Sequence, residues 1–331
     1  MNTIDSSTQA AMRTQLIQRR DLLNSTIAET PDSTRLVHLL KEVDAALKRI
    51  DAGAYGICEV CNEPIEREHL QWDPLVRVCL EHLSETEQRA IQRDLDLASQ
   101  IQTTLLPARH LHLNGWDVSF EYIPAGVVSG DYCDIIRSET EPGVLYFFLG
   151  DVSGKGVAAS LLMSHLHAIF RSLVDSGLSL DQMTARANRL FCESTMAAHF
   201  ATLVSGRASG NGKIEICNAG HMPAMHLHNA AITAVEGSGL PIGLFCDQGY
   251  TVQTLILAPR DSLILYTDGL TESRNSAETE YGASRLKDML LRHHTLTPEA
   301  FVDALTRDEQ TFRSGAPRAD DLTIMVLRRT V

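Results

Sequence analysis

Aromatic residues are scarce, at 5% of 331 residues with only 2 Trp, so any core must be built mainly from aliphatic side chains. Long hydrophobic runs are missing too. The longest, Val144 to Gly150, falls far short of the roughly 20 residues a spanning helix needs. The first residues, Met1-Asn-Thr-Ile-Asp-Ser6, lack the basic and apolar segments of a secretory signal. Positive charge is in deficit, with 29 Lys and Arg against 42 Asp and Glu and a net charge of −13. That balance argues against a broad nucleic-acid-binding face. The 7 cysteines are an odd number in a long chain, which disfavours a secreted disulfide framework. A soluble, cytoplasmic protein is expected. Its length allows two domains, or one large domain with an appendage.

Three of the cysteines fall in a pattern. Cys58 and Cys61 form a CxxC, and Cys79 with His82 forms a CxxH, giving C-x2-C-x17-C-x2-H. Two tight knuckles that each present two ligands are the spacing of a structural zinc site. With four protein ligands the zinc has no open position for catalysis. Cys133, Cys192, Cys217 and Cys246 are scattered and read as buried or incidental thiols. Upstream, Leu16, Leu22, Leu23 and Ile27 mark an amphipathic helix over 8–29. Leu36, Leu39, Leu40, Val43, Leu47 and Ile50 mark a second over 33–51. The break Thr30-Pro31-Asp32-Ser33 ends one and caps the next, with Asp32 or Ser33 as N-cap. The stretch from Asp51-Ala-Gly-Ala-Tyr-Gly-Ile-Cys58 to Val78-Cys-Leu-Glu-His82 resembles the DksA/TraR-type zinc finger. That resemblance covers about residues 33–83 and implies a helical hairpin carrying one structural Zn2+, with RNA polymerase as a partner. His82 stands where the family usually has a fourth cysteine, and the short hairpin tip lacks an acidic cluster.

Residues 84–106 contain neither Gly nor Pro and end at Pro107. Ile91, Leu95, Ala98, Ile101 and Leu105 step by 3 or 4, which predicts a helix with one apolar stripe. Ser84 and Glu87 fit a capping box. The helix reads either as a connector packed on the following domain or as a short coiled coil forming a homodimer.

In the second half, acidic residues sit at the ends of apolar runs. Asp151 ends Leu145 to Gly150, Asp268 follows Leu263 to Thr267, and Asp320 and Asp321 precede Leu322 to Leu327. Asp131 follows Ser129-Gly130 and precedes Asp134. One such carboxylate is usually a turn former. Several at strand ends can converge, and short carboxylate arms suit hard cations such as Mg or Mn. Gly150-Asp-Val-Ser-Gly-Lys-Gly156 lacks P-loop spacing, and there is no Gly-x-Ser-x-Gly elbow. The pairs His110/His112, His165/His167 and His226/His228 read as ordinary structural residues.

Seven separated motifs occur in order: Leu97-Ala-Ser-Gln-Ile-Gln-Thr-Thr-Leu-Leu-Pro107, Ser129-Gly-Asp-Tyr-Cys-Asp134, Gly150-Asp-Val-Ser-Gly-Lys-Gly-Val157, Asn218-Ala-Gly-His-Met-Pro223, Leu240-Pro-Ile-Gly243, Tyr266-Thr-Asp-Gly-Leu-Thr-Glu272 and Ala319-Asp-Asp-Leu-Thr323. Over residues 97–331 they resemble the RsbU/SpoIIE-like branch of the metal-dependent (PPM-type, type 2C) serine/threonine phosphatases. The resemblance implies an α+β fold, an α-β-β-α sandwich of two antiparallel sheets, here preceded by a helical hairpin with a zinc knuckle. It implies two Mn2+ or Mg2+ ions. Asp151 would bridge both, the Val152 carbonyl would bind the second, and Asp268 and Asp320 would complete the coordination of the first metal. Asp131 would bind or orient metal-bound water, Asp321 is a second candidate ligand beside Asp320, and Asp134 would support the ligands from behind. Two such cations, about 3.5–4 Å apart, activate a water for in-line attack on a phosphoryl group. The implied substrate is a phosphoprotein, by analogy a STAS-type anti-sigma-factor antagonist in a partner-switching pathway. Ser129 replaces the usual glycine and Cys133 the usual aromatic, and the phosphate-binding arginine of the eukaryotic branch has no counterpart. The expected organisation is a zinc hairpin over 1–83, a helical joint over 84–107 and a phosphatase domain over 108–331. A DksA/TraR-like transcription regulator with a passenger phosphatase fold is the alternative.

Overall fold

The computed structural model describes residues 6–29, 33–66, 69–70, 73–113, 115–195, 199–237 and 239–331, apart from the side chains of 6–11 and 29. It forms two compact units, Met1–Asp94 and Leu95–Val331. Among the described residues no helix is long and apolar enough to cross a membrane.

In the first unit, α1 (Ser6–Glu29) packs on α2 (Thr34–Asp51). The predicted break at Thr30-Pro31-Asp32 lies outside the described residues. Ser33 caps α2, its side chain accepting a hydrogen bond from the Leu36 amide. Leu16 and Leu23 meet Val43, Ala46 and Leu47 in a core shared with Tyr55, Cys58, Ile65, Leu70 and Cys79. Two polar clamps tie the knuckle segment down. The Arg49 guanidinium donates to the carbonyls of Val76 (2.9 Å) and Leu75 (3.1 Å), and the Tyr55 hydroxyl donates to that of Pro74 (2.9 Å). A 3₁₀ turn, Leu80–His82, leads to α3 (Glu85–Leu105). The Ser84 side chain and Glu87 form the predicted capping box at its start.

The second unit is a sandwich of two antiparallel sheets. Its strands are β1 (His110–Leu113), β2 (Trp116–Ile123), β3 (Asp131–Arg137), β4 (Leu145–Val152), β5 (Ala201–Ala208), β6 (Lys213–Ala219), β7 (Ala224–His228), β8 (Ala231–Val235), β9 (Gln253–Ile256), β10 (Ser262–Tyr266) and β11 (Leu322–Arg329). One sheet has the order β1-β2-β11-β10-β7-β8 and the other β3-β4-β5-β6-β9. Side chains of a strand alternate between faces, and here both faces are covered. Leu145, Phe147 and Leu149 of β4, Leu263 and Leu265 of β10, and Met325 and Leu327 of β11 fill the layer between the sheets. Tyr146 and Phe148 point the other way, onto α4 (Gly156–Leu173) and α5 (Leu180–Ser194). Ile264, Ile324 and Val326 face α7 (Gly282–Arg292) and α8 (Pro298–Arg313). A four-residue turn of helix, α6 (Asp268–Thr271), follows β10. Double coverage explains why β4, β10 and β11 read as continuous apolar runs rather than alternating ones.

Candidate active site

The parity of the strands sets the site. In β3, Cys133 and Ile135 face the opposing sheet, so Asp131 does as well. In β4 the same holds for Asp151, two residues beyond Leu149. The two are register partners on adjacent strands, two carboxylates side by side on one face. From the other sheet, Thr267 at the end of β10 and Thr323 at the start of β11 share the inward parity of Leu265 and Met325. Both hydroxyls donate to Asp131 Oδ2, at 3.0 and 2.5 Å. Asp131 is buried, with 1% of its surface exposed, and joins the two sheets at this end.

Asp268 opens α6 and Asp320 and Asp321 precede β11. Gly269 makes their approach possible, because a Cβ there would lie 1.8 Å from the Asp321 carbonyl oxygen. Asp321 turns its carboxylate to main chain, accepting from the Ala125 amide and the Gly130 amide, each at 2.7 Å. Asp320 accepts the Asp321 amide (3.0 Å) and the Lys155 ammonium (2.9 Å), which also donates to the Ala319 carbonyl (2.7 Å). Upstream, the buried carboxylate of Glu309 holds the approach to Asp320. It accepts from the Ser273 hydroxyl at 2.6 Å, Arg313 at 3.0 Å and Arg318 at 2.9 Å.

The electrostatics are those of a crowded acidic centre. Burial, then the charges of Asp268, Asp320 and Asp321, push the Asp151 carboxyl up to about 7. Burial and then Asp320 raise that of Asp268, and burial and then Asp151 raise that of Asp131 well above its ordinary value. Lys155 is held up by its hydrogen bond with Asp320. An all-oxygen, mutually repelling donor set of this kind fits hard divalent cations, which would relieve the repulsion.

Two sequence expectations change. Asp134 has the opposite parity from Asp131, as Tyr132 does, and faces the helices. Fully buried, it is gripped by the Arg171 guanidinium of α4 at 2.8 and 2.7 Å, so it braces a helix and does not back the ligands. On α3 the buried position is taken by Gln102, whereas Ile101, assigned to the apolar stripe, is 53% exposed. The substitution Ser129 has a use: its hydroxyl accepts the Asp131 amide at 3.1 Å. Cys133 simply packs between the sheets. His221, within Asn218-Ala-Gly-His-Met-Pro223, was given no role by the sequence. It is buried, and its Nδ1 lies 2.8 Å from the hydroxyl of Thr202, the residue opposite Asp151. Burial pulls its pKa down to about 4, so the ring is neutral.

In the first unit Cys58, Cys61, Cys79 and His82 come together. Among the described residues they are the one set of three or more Cys, His, Asp or Glu whose donor atoms all lie within 4.8 Å of one another. The aspartates share an edge without closing that tightly. Cys61 Sγ is 3.9 Å from Cys79 Sγ, which is 3.1 Å from His82 Nδ1. Burial acts to raise the Cys58 thiol, yet the amides of Cys61, Cys79 and Val60 bring it down to about 6. Burial and the neighbouring thiols push Cys79 up to about 11. Three sulfurs and a ring nitrogen suit zinc.

A family model described as "Stage II sporulation protein E (SpoIIE)" matches residues 141–330. Phosphoserine phosphatase RsbU of Bacillus subtilis is 26% identical over 249 residues, covering 74% of this chain and 72% of that protein. Among solved structures, the SiaA-PP2C domain of Pseudomonas aeruginosa superposes with a TM-score of 0.65 at 21% identity, covering 73% of this chain and 98% of that one. The RsbU and RsbW domains of Rv1364c from Mycobacterium tuberculosis give 0.57 at 24% identity, covering 68% and 62%. A sandwich carrying aspartates on both sheets, and a family match over more than half of its length, establish that this chain belongs to the SpoIIE family of PP2C-type serine/threonine protein phosphatases.

Proposed function

We propose that this phosphatase works with two Mn2+ or Mg2+ ions held by Asp151, Asp268, Asp320 and the carbonyl of Val152, with Asp131 and Asp321 behind them. The observation that carries the reading is the crowding of these carboxylates at one end of the two sheets, which pushes Asp151 up to about 7. When bound, the cations supply charge neutralisation for the phosphoryl oxygens and a nucleophilic water at neutral pH. The chain's own residues provide the frame. Thr267 and Thr323 orient Asp131 from the opposite sheet. Asp321 fixes the Gly130 amide, and Lys155 offsets part of the charge on Asp320.

The substrate in this reading is phosphoserine or phosphothreonine on a regulatory protein, a STAS-type anti-sigma-factor antagonist in a partner-switching pathway. The name of RsbU and the pairing of RsbU and RsbW domains in Rv1364c support it. The Cys58, Cys61, Cys79 and His82 set holds one structural Zn2+, and the N-terminal unit regulates the enzyme through α3. Leu97 and Ile101, 55% and 53% exposed one turn apart, favour a homodimer along that helix. The deciding experiment is Asp151→Ala. It should abolish Mn-dependent hydrolysis of a phosphoserine protein while leaving the far-UV spectrum and melting cooperative, and should trap the phosphoprotein in a pull-down. Full retained activity overturns the assignment.

A further inference from the structure

Gln102 is the one polar residue of α3 that is buried, at 5% exposure, while the apolar Leu97 and Ile101 lie open. A buried amide persists only where its donor and acceptor are both satisfied. Here both are spent on the main chain of a single residue. Gln102 Nε2 donates to the Ser129 carbonyl at 2.7 Å, and Oε1 accepts the Ser129 amide at 2.9 Å. Ser129 is itself buried, at 1% exposure. Its hydroxyl accepts the Asp131 amide, and the next amide, that of Gly130, donates to Asp321. Three consecutive residues, 129–131, are thus fixed by Gln102, by Asp321 and by a bond within the loop. Asp131 emerges from them opposite Asp151.

We infer that Gln102 is a positioning residue of the aspartate centre. Its two-point grip fixes the orientation of the peptide planes that launch β3, where one hydrogen bond would leave them free to rotate about it. The side chain touches no reacting atom, so it acts through the backbone of Ser129 and Gly130. The inference rests on the reading that the aspartates hold cations.

The test uses the full chain with three substitutions. Gln102→Leu keeps the volume and removes both hydrogen bonds, and Gln102→Asn keeps the amide but withdraws it by one methylene. Leu105→Ala, on the same helix and packed on the helix-facing core, is the packing control. Mn2+ binding by calorimetry, amide exchange at Ser129, and kcat and KM for p-nitrophenyl phosphate are the readouts. Both Gln102 variants should bind Mn2+ at least tenfold more weakly, exchange the Ser129 amide at least tenfold faster and lose kcat, with KM at saturating Mn2+ within about twofold. Leu105→Ala should lower the melting temperature and leave Mn2+ affinity unchanged. Gln102→Leu that binds Mn2+ like the wild type overturns the inference, as does a Leu105→Ala that loses as much affinity. Asp151→Ala separates the two claims. If it too binds Mn2+ normally, the cation reading fails. If it alone loses Mn2+, only the role of Gln102 fails.

Discussion

Replacing Arg171 by alanine should destabilise the second unit without touching its chemistry. Asp134 is fully buried, and the guanidinium supplies two of the hydrogen bonds to its carboxylate. Removing one partner of a fully buried pair costs about 3–5 kcal/mol, because the remaining charge is stranded. Two features reduce that figure here. The Arg171 side chain is 44% exposed, so water already screens part of the pair. The Ile135 amide (2.8 Å) and the His167 ring (3.5 Å) remain beside the carboxylate after the change. A loss of about 2–3 kcal/mol follows, equivalent to a fall of about 4–12 °C in Tm for a unit of this size. Asp134→Asn should cost less, about 1 kcal/mol, because the stranded partner is then a half-exposed guanidinium that water can solvate. The assay is thermal unfolding alongside Mn-dependent turnover measured well below the melting point. If Arg171→Ala melts with the wild type, the buried-pair argument is wrong. If it melts lower but also turns over tenfold more slowly while folded, Asp134 belongs to the metal centre after all.

Other outcomes follow from the same geometry. A Cβ at Gly206 would lie 1.9 Å from the ring of Phe147, which is fully buried. Gly206→Ala should therefore cost about 1–3 kcal/mol or more through overpacking, and Phe147→Leu in the same chain should recover part of it by denaturant unfolding; additive losses would count against the clash. His221 is neutral in the fold, with a pKa near 4 against about 6.5 in the unfolded chain. The unfolded state then binds the extra proton between those values, so stability falls as pH drops through that window, by about 3 kcal/mol. His221→Gln should flatten the urea midpoint against pH, and parallel curves would refute the assignment. With Asp151 near 7 in the cation-free site, Mn2+ binding at pH 7 should release about half a proton from this group. Calorimetry in buffers of differing ionisation enthalpy measures that release, and none at all would contradict the crowding of the aspartates.

Much of this was legible in the chain because burial on both faces leaves continuous apolar strings, as at Leu145 to Leu149 and Leu263 to Tyr266. The carboxylates at their ends were visible for the same reason. What the sequence conceals has physical causes. β3 carries Asp131 and Asp134 within seven residues, which hides its strand character although five of the seven are buried. The β7–β8 hairpin turns at Asn229 and Ala230, both with positive φ (45° and 61°), where the usual glycine signal is absent. β1 has two histidines among four residues. The place that the resemblance implies for Asp134, behind the ligands, fails because its odd separation from Asp131 along β3 sends its side chain to the opposite face. The same parity, counted from the apolar positions of β10 and β11, points Thr267 and Thr323 at the site. Gln102 carries a weaker signal, a long amide that shares its helix face with Ala98, Ser99 and Leu105, four and three positions before it and three after. His221 and Arg171 meet their partners only through the fold.

The direct opposition of Asp131 and Asp151 also bears on how long the protein survives. Like charges placed across a strand pair oppose folding, and a cation that binds the folded chain but not the unfolded one offsets them by mass action. The supply of divalent metal would then set the folded fraction as well as the rate of catalysis. Where divalent metal is scarce, a greater share of molecules would be open to proteases, and abundance would fall with it.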